Sequence, residues 1–319
     1  MQSADCIAPT ALRSRQSFSP GGRASGIHRS QIHSVTISSR VRIYESDRCR
    51  VFSGKILMSQ YWPFSGLTRY GALRERLIVS LDLGGRREAL KMVDQLGRLV
   101  GMFKIGKQLF VSGGPDFVRE VRRRGAEVFL DLKFHDTPRA LMRTAMEATR
   151  LGVRMFDVHL NGHAESIGRV RAEINRLCQN EGLRKPHIVA VAMLMGVRRE
   201  GIENGSRAGI DGMVELARHA AIAGLDGVFT SAQGAPRIRS MCGRRFIIVT
   251  PLPCVRDGAS EFVDGAAAIH AGADFLVAGS PIWKASEPMR AVREIVDQID
   301  RGLRSGPPNG SLSVIPRHR

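Results

Sequence analysis

The chain has 319 residues, 43% hydrophobic and 6% aromatic, enough for one large domain or two ordinary ones. No uncharged apolar run approaches the roughly 20 residues of a membrane span, so a helical membrane protein is excluded. The net charge of +18 is uneven: residues 1–70 hold ten basic and three acidic residues, residues 300–319 four and one, and the middle carries only +8. With no zinc-finger, RNP or basic-zipper pattern, this distribution speaks against a nucleic-acid partner and fits an enzyme with an anionic substrate. The five cysteines (Cys6, Cys49, Cys178, Cys242, Cys254) are scattered without a CxxC pair, so neither a disulfide framework nor a zinc site is indicated, and a reducing, cytoplasmic location is expected.

Residues 1–57 are rich in Ser and Arg and poor in acids, and they lack sustained apolar periodicity. Two readings stand: a transit-like or disordered extension, or sequence upstream of a true start at Met58. The absence of an amphipathic helix favours the second. The expected organisation is a basic extension of low order over 1–70, one domain over 71–302, and a disordered Gly/Pro/Ser/Arg tail over 303–319.

Along the central domain, short β-branched runs predict strands at Leu77–Leu81, Met102–Ile105, Val128–Leu132, Met155–His159, Ile188–Met193, Gly227–Thr230, Phe246–Thr250 and Phe275–Ala278. Helical patterns fall between them, among them Arg87–Val100, Pro138–Leu151, Gly212–Ala223 and Val263–Ala271. Gly152, Gly224 and Gly272 stand where a helix should end. Eight strand–helix units predict an α/β fold, a (β/α)₈ TIM barrel; a doubly wound open sheet is the runner-up, but no GxGxxG follows the first strand.

In such a barrel the chemistry lies at the C-terminal ends of the strands. Polar residues collect there: Asp82, Lys104, Asp131, Lys133, Asp136, His159, Asn161, Ser231, Gln233 and Thr250. The run Phe129-Leu130-Asp131-Leu132-Lys133-Phe134-His135-Asp136-Thr137-Pro138 is the densest of these groups. Strand alternation puts Asp131 and Lys133 on one face, with Asp136 just past the strand end. Desolvating three charges at one spot costs more than their pairing usually returns, so they point to catalysis rather than stability. His135 reads as a packing or dimer-contact residue.

Together with Phe103-Lys104-Ile105-Gly106-Lys107, this run resembles the orotidine 5′-monophosphate decarboxylases of the bacterial type. The likeness covers roughly residues 77–300 and takes in Val79-Ser80-Leu81-Asp82, Ser231-Ala232-Gln233 and Val249-Thr250-Pro251. It implies a homodimeric barrel with no metal and no organic cofactor, converting orotidine 5′-monophosphate to uridine 5′-monophosphate and CO₂ in pyrimidine biosynthesis. By position it implies an alternating array of Lys104, Asp131 and Lys133, with Asp136 completing the partner's site, and ribose contacts from Asp82 and Lys104. Lys133 would protonate C6.

The chain departs from the family's pattern in the binding loops. Met195 stands where a pyrimidine-binding Ser or Thr is usual, and Arg139-Ala140 replaces Asn-Thr. The loop Leu252–Glu261 is shortened, and Ser280 replaces a phosphate-gripping Arg. Backbone N–H groups at Gly279 and Ser280, with Arg256 or Lys284, are the expected substitutes for phosphate, and Ser231 and Gln233 the remaining substrate contacts. The departures keep two alternatives open: a divergent decarboxylase or lyase of the superfamily with another substrate, and a non-catalytic binding barrel.

Overall fold

The computed structural model describes residues 64–160, 164–192, 207–252 and 264–305. Eight parallel strands close into a barrel: β1 (Leu77–Ser80), β2 (Met102–Gly106), β3 (Val128–Phe134), β4 (Met155–Val158), β5 (His187–Val191), β6 (Gly227–Phe229), β7 (Ile247–Pro251) and β8 (Phe275–Ala278), with β8 pairing back onto β1. The helices are α1 (Phe64–Arg74), α2 (Arg86–Leu96), α3 (Lys107–Arg123), α4 (Pro138–Arg150), α5 (Ala164–Glu181), α6 (Arg207–Ile222), α7 (Ala235–Cys242), α8 (Gly265–His270), α9 (Ser280–Trp283) and α10 (Pro288–Arg304). The (β/α)₈ expectation is met and the open sheet is not.

Strand bounds follow the expected ones to within two residues, whereas α2 ends at Leu96, ahead of the expected Val100, and α6 starts at Arg207, ahead of the expected Gly212. β3 runs on to Phe134, so the charged motif is built into the barrel wall rather than hung beyond it. Gly152, Gly224 and Gly272, expected as helix ends, all have positive φ (70°, 80° and 112°), which suits a residue without Cβ. At Gly227 a Cβ would stand 2.2 Å from the Ile247 carbonyl oxygen, so β6 needs glycine to approach β7. Met193 and Val263, expected at the ends of a strand and a helix, lie outside the described residues.

Period-two alternation sorts the strands into an outer face packed under the helices and an inner face filling the barrel. The inner face carries an apolar plug with one residue from each strand: Ile78, Met102, Phe129, Met155, Val189, Phe229, Val249 and Val277. Two residues further along β1–β4, the same face turns polar, giving Ser80, Lys104, Asp131 and Asp157, all buried. The first half of the barrel thus supplies a charged half-layer resting directly on a dry plug. No helix among the described residues is long and apolar enough to cross a membrane.

Phe129 is fully buried in the plug and packs against Phe229 with ring centroids 6.4 Å apart. Phe129→Ala is expected to cost about 3–5 kcal/mol of stability, read as a lowered urea midpoint at unchanged m-value.

Candidate active site

Asp131 is the centre of the polar half-layer. Its Oδ2 lies 2.8 Å from Lys104 Nζ, and its Oδ1 accepts a hydrogen bond from Lys133 Nζ. Lys104 Nζ also stands 3.6 Å from Asp82 Oδ1, while Ser80 Oγ donates to Asp82 Oδ2 at 2.5 Å. Gly106 leaves room at this point: a Cβ there would stand 3.2 Å from Asp82 Oδ1, tighter than an ordinary contact. The order Asp82–Lys104–Asp131–Lys133 alternates in sign across three adjacent strand ends.

Asp131 and Lys133 reach one site as expected, but not through a regular strand. Leu130 pairs with Phe156 and Phe134 with Val158, so Asp131, Leu132 and Lys133 together stand opposite the single residue Asp157. The bulge puts Lys133 at φ 52°, the only positive φ outside glycine among the described residues. A backbone held there costs about 1–3 kcal/mol and persists only when its surroundings enforce it. Here Lys133 N donates to Asp157 Oδ1 at 2.7 Å, and Lys133 Nζ stands 3.9 Å from Asp157 Oδ2. The strand alternation Met155, Asp157, His159 gave a signal for Asp157, since it shares a face with His159, but a single acid in an apolar run does not announce a role.

The neighbours of each group set the direction in which its pKa moves. Burial alone would lower the Lys104 pKa, but Asp131 and then Asp82 outweigh it, and the ammonium is held above the usual lysine value. Burial pushes Asp131 upward, but Lys104, a hydrogen bond with Asp157 and Lys133 overcome it, and the carboxyl sits well below the usual carboxylate range. Asp157 goes the other way: burial, then the neighbouring Asp131 charge, raise it well above the ordinary value. His159 is lowered by burial and then by His135, whose ring lies 5.4 Å away, and by Lys133 and Lys107.

The remaining expected residues are more dispersed. Asp136 is exposed beyond β3 and forms no ion pair with the array among the described residues. Ser231 is buried, its hydroxyl directed at Met213 Sδ 3.4 Å away, and Gln233 is exposed in the loop before α7. Gly279 sits against the array, since a Cβ there would meet Ser80 Cβ at 3.4 Å and Trp283 Nε1 at 3.5 Å. Ser280 opens α9, and Lys284 Nζ lies 5.5 Å from the centre of the Trp283 ring. Arg256, Asn161 and Met195 lie outside the described residues. Among the described residues no group of His, Cys, Asp or Glu is arranged to hold a metal ion. A cleft of about 330 Å³ at the opposite mouth, between Arg76, Arg244, Arg245 and Asp274, carries no comparable array.

Residues 75–295 match the family model described as "Orotidine 5'-phosphate decarboxylase / HUMPS family". The chain belongs to this family. An orotidine 5'-phosphate decarboxylase of Syntrophotalea carbinolica is 42% identical over 245 residues, covering 73% of this chain and 98% of the relative. That of Pelobacter propionicus is 40% identical over 238 residues, covering 72% and 97%. A crystal structure of orotidine 5'-phosphate decarboxylase from Lactobacillus acidophilus superposes with a TM-score of 0.60 at 27% identity, covering 70% of this chain and 98% of that one.

Lys104 and Asp131 are 10% and 7% exposed at the side chain, so removing one partner leaves a buried charge poorly compensated. Lys104→Met is expected to cost about 3–5 kcal/mol in chemical denaturation. Lys104, raised, contributes stability that is complete below the ordinary lysine pKa and lost as pH rises through its folded value. Asp131, lowered, contributes stability that is present above the ordinary carboxylate pKa and lost as pH falls through its folded value. The cost of Lys104→Met should therefore be largest between about pH 5 and pH 10 and shrink on either side, as Asp131 gains a proton or Lys104 loses one.

Proposed function

We propose that the protein decarboxylates orotidine 5′-monophosphate to uridine 5′-monophosphate and CO₂, the carboxy-lyase step of pyrimidine biosynthesis, and that the barrel over residues 71–302 is the catalytic unit. The observation that carries the reading is the sign-alternating array of Asp82, Lys104, Asp131 and Lys133 at the C-terminal mouth of the barrel, with Lys104 and Asp131 buried at its centre. The relatives' printed names and the shared family support it.

In this reading the bond between C6 and the carboxylate breaks, its electron pair stays on C6, and CO₂ departs. No ring system adjacent to C6 accepts that charge, so a fixed cation must. The Lys133 ammonium stabilises the developing charge and then gives its proton to C6, to be reprotonated from water. Asp131 holds Lys133 in place and faces the departing carboxylate, while Lys104 balances Asp131 and, with Asp82, takes the ribose hydroxyls. The phosphate falls to the backbone N–H groups of Gly279 and Ser280, with Arg256 and Lys284 supplying charge. Trp283 Nε1, a buried donor with no partner among the described residues, adds a further donor at that place. Ser231 and Gln233 are the candidate contacts of the loop after β6.

The active form in this reading is a homodimer in the cytoplasm. Asp136 is exposed and apart from the array of its own barrel, which fits a role in a second barrel: Asp136 of the partner subunit completes each site. Cys178 and Cys242 are free thiols, in keeping with a reducing compartment. Met195 and Ser280 favour a second reading, a decarboxylase or lyase of the same family with a different anionic substrate; a non-catalytic barrel has no such observation behind it.

Purified protein should deplete the ultraviolet absorbance of orotidine 5′-monophosphate, and Lys133→Ala should lower kcat/KM by about 10³-fold or more. No turnover by a folded wild-type protein at millimolar substrate would leave the second reading. Lys133→Ala and Asp136→Ala should each be inactive alone, yet an equimolar remixed pair should recover about a quarter of wild-type activity, because half of two-fold dimers then carry one intact site. Additive, unrecovered activity in the mixture would place Asp136 within its own subunit's site.

A further inference from the structure

The half-layer contains one carboxyl that the proposed chemistry does not use. Asp157 is 1% exposed in the middle of β4, beneath the bulge of β3. Its Oδ1 accepts the Lys133 main-chain N–H at 2.7 Å, the donor that the register shift removes from the β3–β4 ladder. Its Oδ2 is 3.9 Å from the Lys133 ammonium, and the carboxyl lies within hydrogen-bonding reach of that of Asp131. Resting on the decarboxylase reading, we infer that Asp157 is a positioning residue, a neutral hydrogen-bonding clamp that fixes the left-handed Lys133 backbone and thereby aims its ammonium.

Two facts favour the neutral form. Two buried carboxyls side by side repel unless one of them carries a proton, and the pair must decide which oxygen holds it. Asp131 is bracketed by direct contacts with Lys104 and Lys133, whereas the nearest ammonium contact of Asp157 is Lys133 at 3.9 Å. The groups facing Asp157 are Asp131 and Lys133 from β3 and Lys104 from β2, while β5 places Val189 beside it. The proton therefore rests on Asp157, whose O–H donates to Asp131 while its carbonyl oxygen accepts from Lys133 N.

The neutrality has a functional reason. An ionised Asp157 would add a second negative charge beside the Lys133 ammonium, blunting the field that must stabilise negative charge on C6. A protonated Asp157 supplies direction without cancelling charge. It also explains how a residue at φ 52° is held at the one place where a shift of about 1 Å costs about a hundredfold in rate.

Asparagine is near-isosteric with the neutral acid and can make both bonds, with Oδ1 accepting from Lys133 N and Nδ2 donating to Asp131. Valine keeps the volume and loses both bonds. With orotidine 5′-monophosphate as substrate, Asp157→Val should lower kcat by about a hundredfold with a much smaller change in KM. Asp157→Asn should rescue at least about tenfold of that loss. Folding stability gives an arm that needs no substrate and survives failure of the decarboxylase reading. A carboxyl whose folded pKa is raised costs stability as pH rises from its unfolded value toward its folded one. The Tm of Asp157→Asn minus that of wild type should therefore grow from pH 4 to pH 8. If Asp157→Val does not fold, this profile still decides. A pH-independent Tm difference, an Asp157→Asn variant as slow as Asp157→Val, or an Asp157→Val variant with wild-type kcat would each overturn the proposal.

Discussion

Asp131 is buried between two ammonium groups, and this contact constrains the rest of the site. A carboxylate taken out of water needs compensation on every side, and here Lys104 supplies one oxygen with an ion pair and Lys133 the other with a hydrogen bond. Lys104 is itself buried and draws on Asp82, which in turn takes the Ser80 hydroxyl. Each charge is present because the one before it had to be balanced. The chain of compensation ends at Lys133, which is 26% exposed at the side chain and the only cation of the array open toward the mouth.

The barrel makes this affordable by separating tasks along single strands. Ile78, Met102, Phe129 and Met155 fill a dry plug, and two residues later the same strands deliver Ser80, Lys104, Asp131 and Asp157. Apolar burial below and charge above are therefore enforced by one period-two pattern and cannot slip independently. Carboxylates at the opposite end show the contrast: Asp226 and Asp274 are paired with Arg171 and Arg239 and accept the strand N–H groups of Ile188 and Ile248. Those pairs tie strand starts together and present no unbalanced cation.

Much of this was legible in the sequence because it rests on spacing. The rhythm of β-branched runs and glycine-ended helices gave the barrel, and the strand-end positions of Asp82, Lys104, Asp131 and Lys133 gave all four array members. What spacing does not encode is where a ladder breaks. The bulge opposite Asp157 depends on pairing between β3 and β4, so neither the left-handed Lys133 nor the carboxyl under it was anticipated. Ser80 was likewise passed over, since a serine inside an apolar strand reads as tolerated packing. Ser231 was noted for its place after β6, yet its hydroxyl turns to Met213, a partner set by how α6 packs and not by local sequence.

A preorganised Lys133 cation is complementary to negative charge developing at C6. Calorimetric binding of 6-hydroxyuridine 5′-monophosphate, whose ionised 6-oxygen puts negative charge beside C6, tests this without turnover. Wild-type protein should bind this analogue at least about a hundredfold more tightly than uridine 5′-monophosphate, and Lys133→Ala should abolish the preference. Equal affinity for the two nucleotides in the wild type, or an undiminished preference in Lys133→Ala, would contradict it.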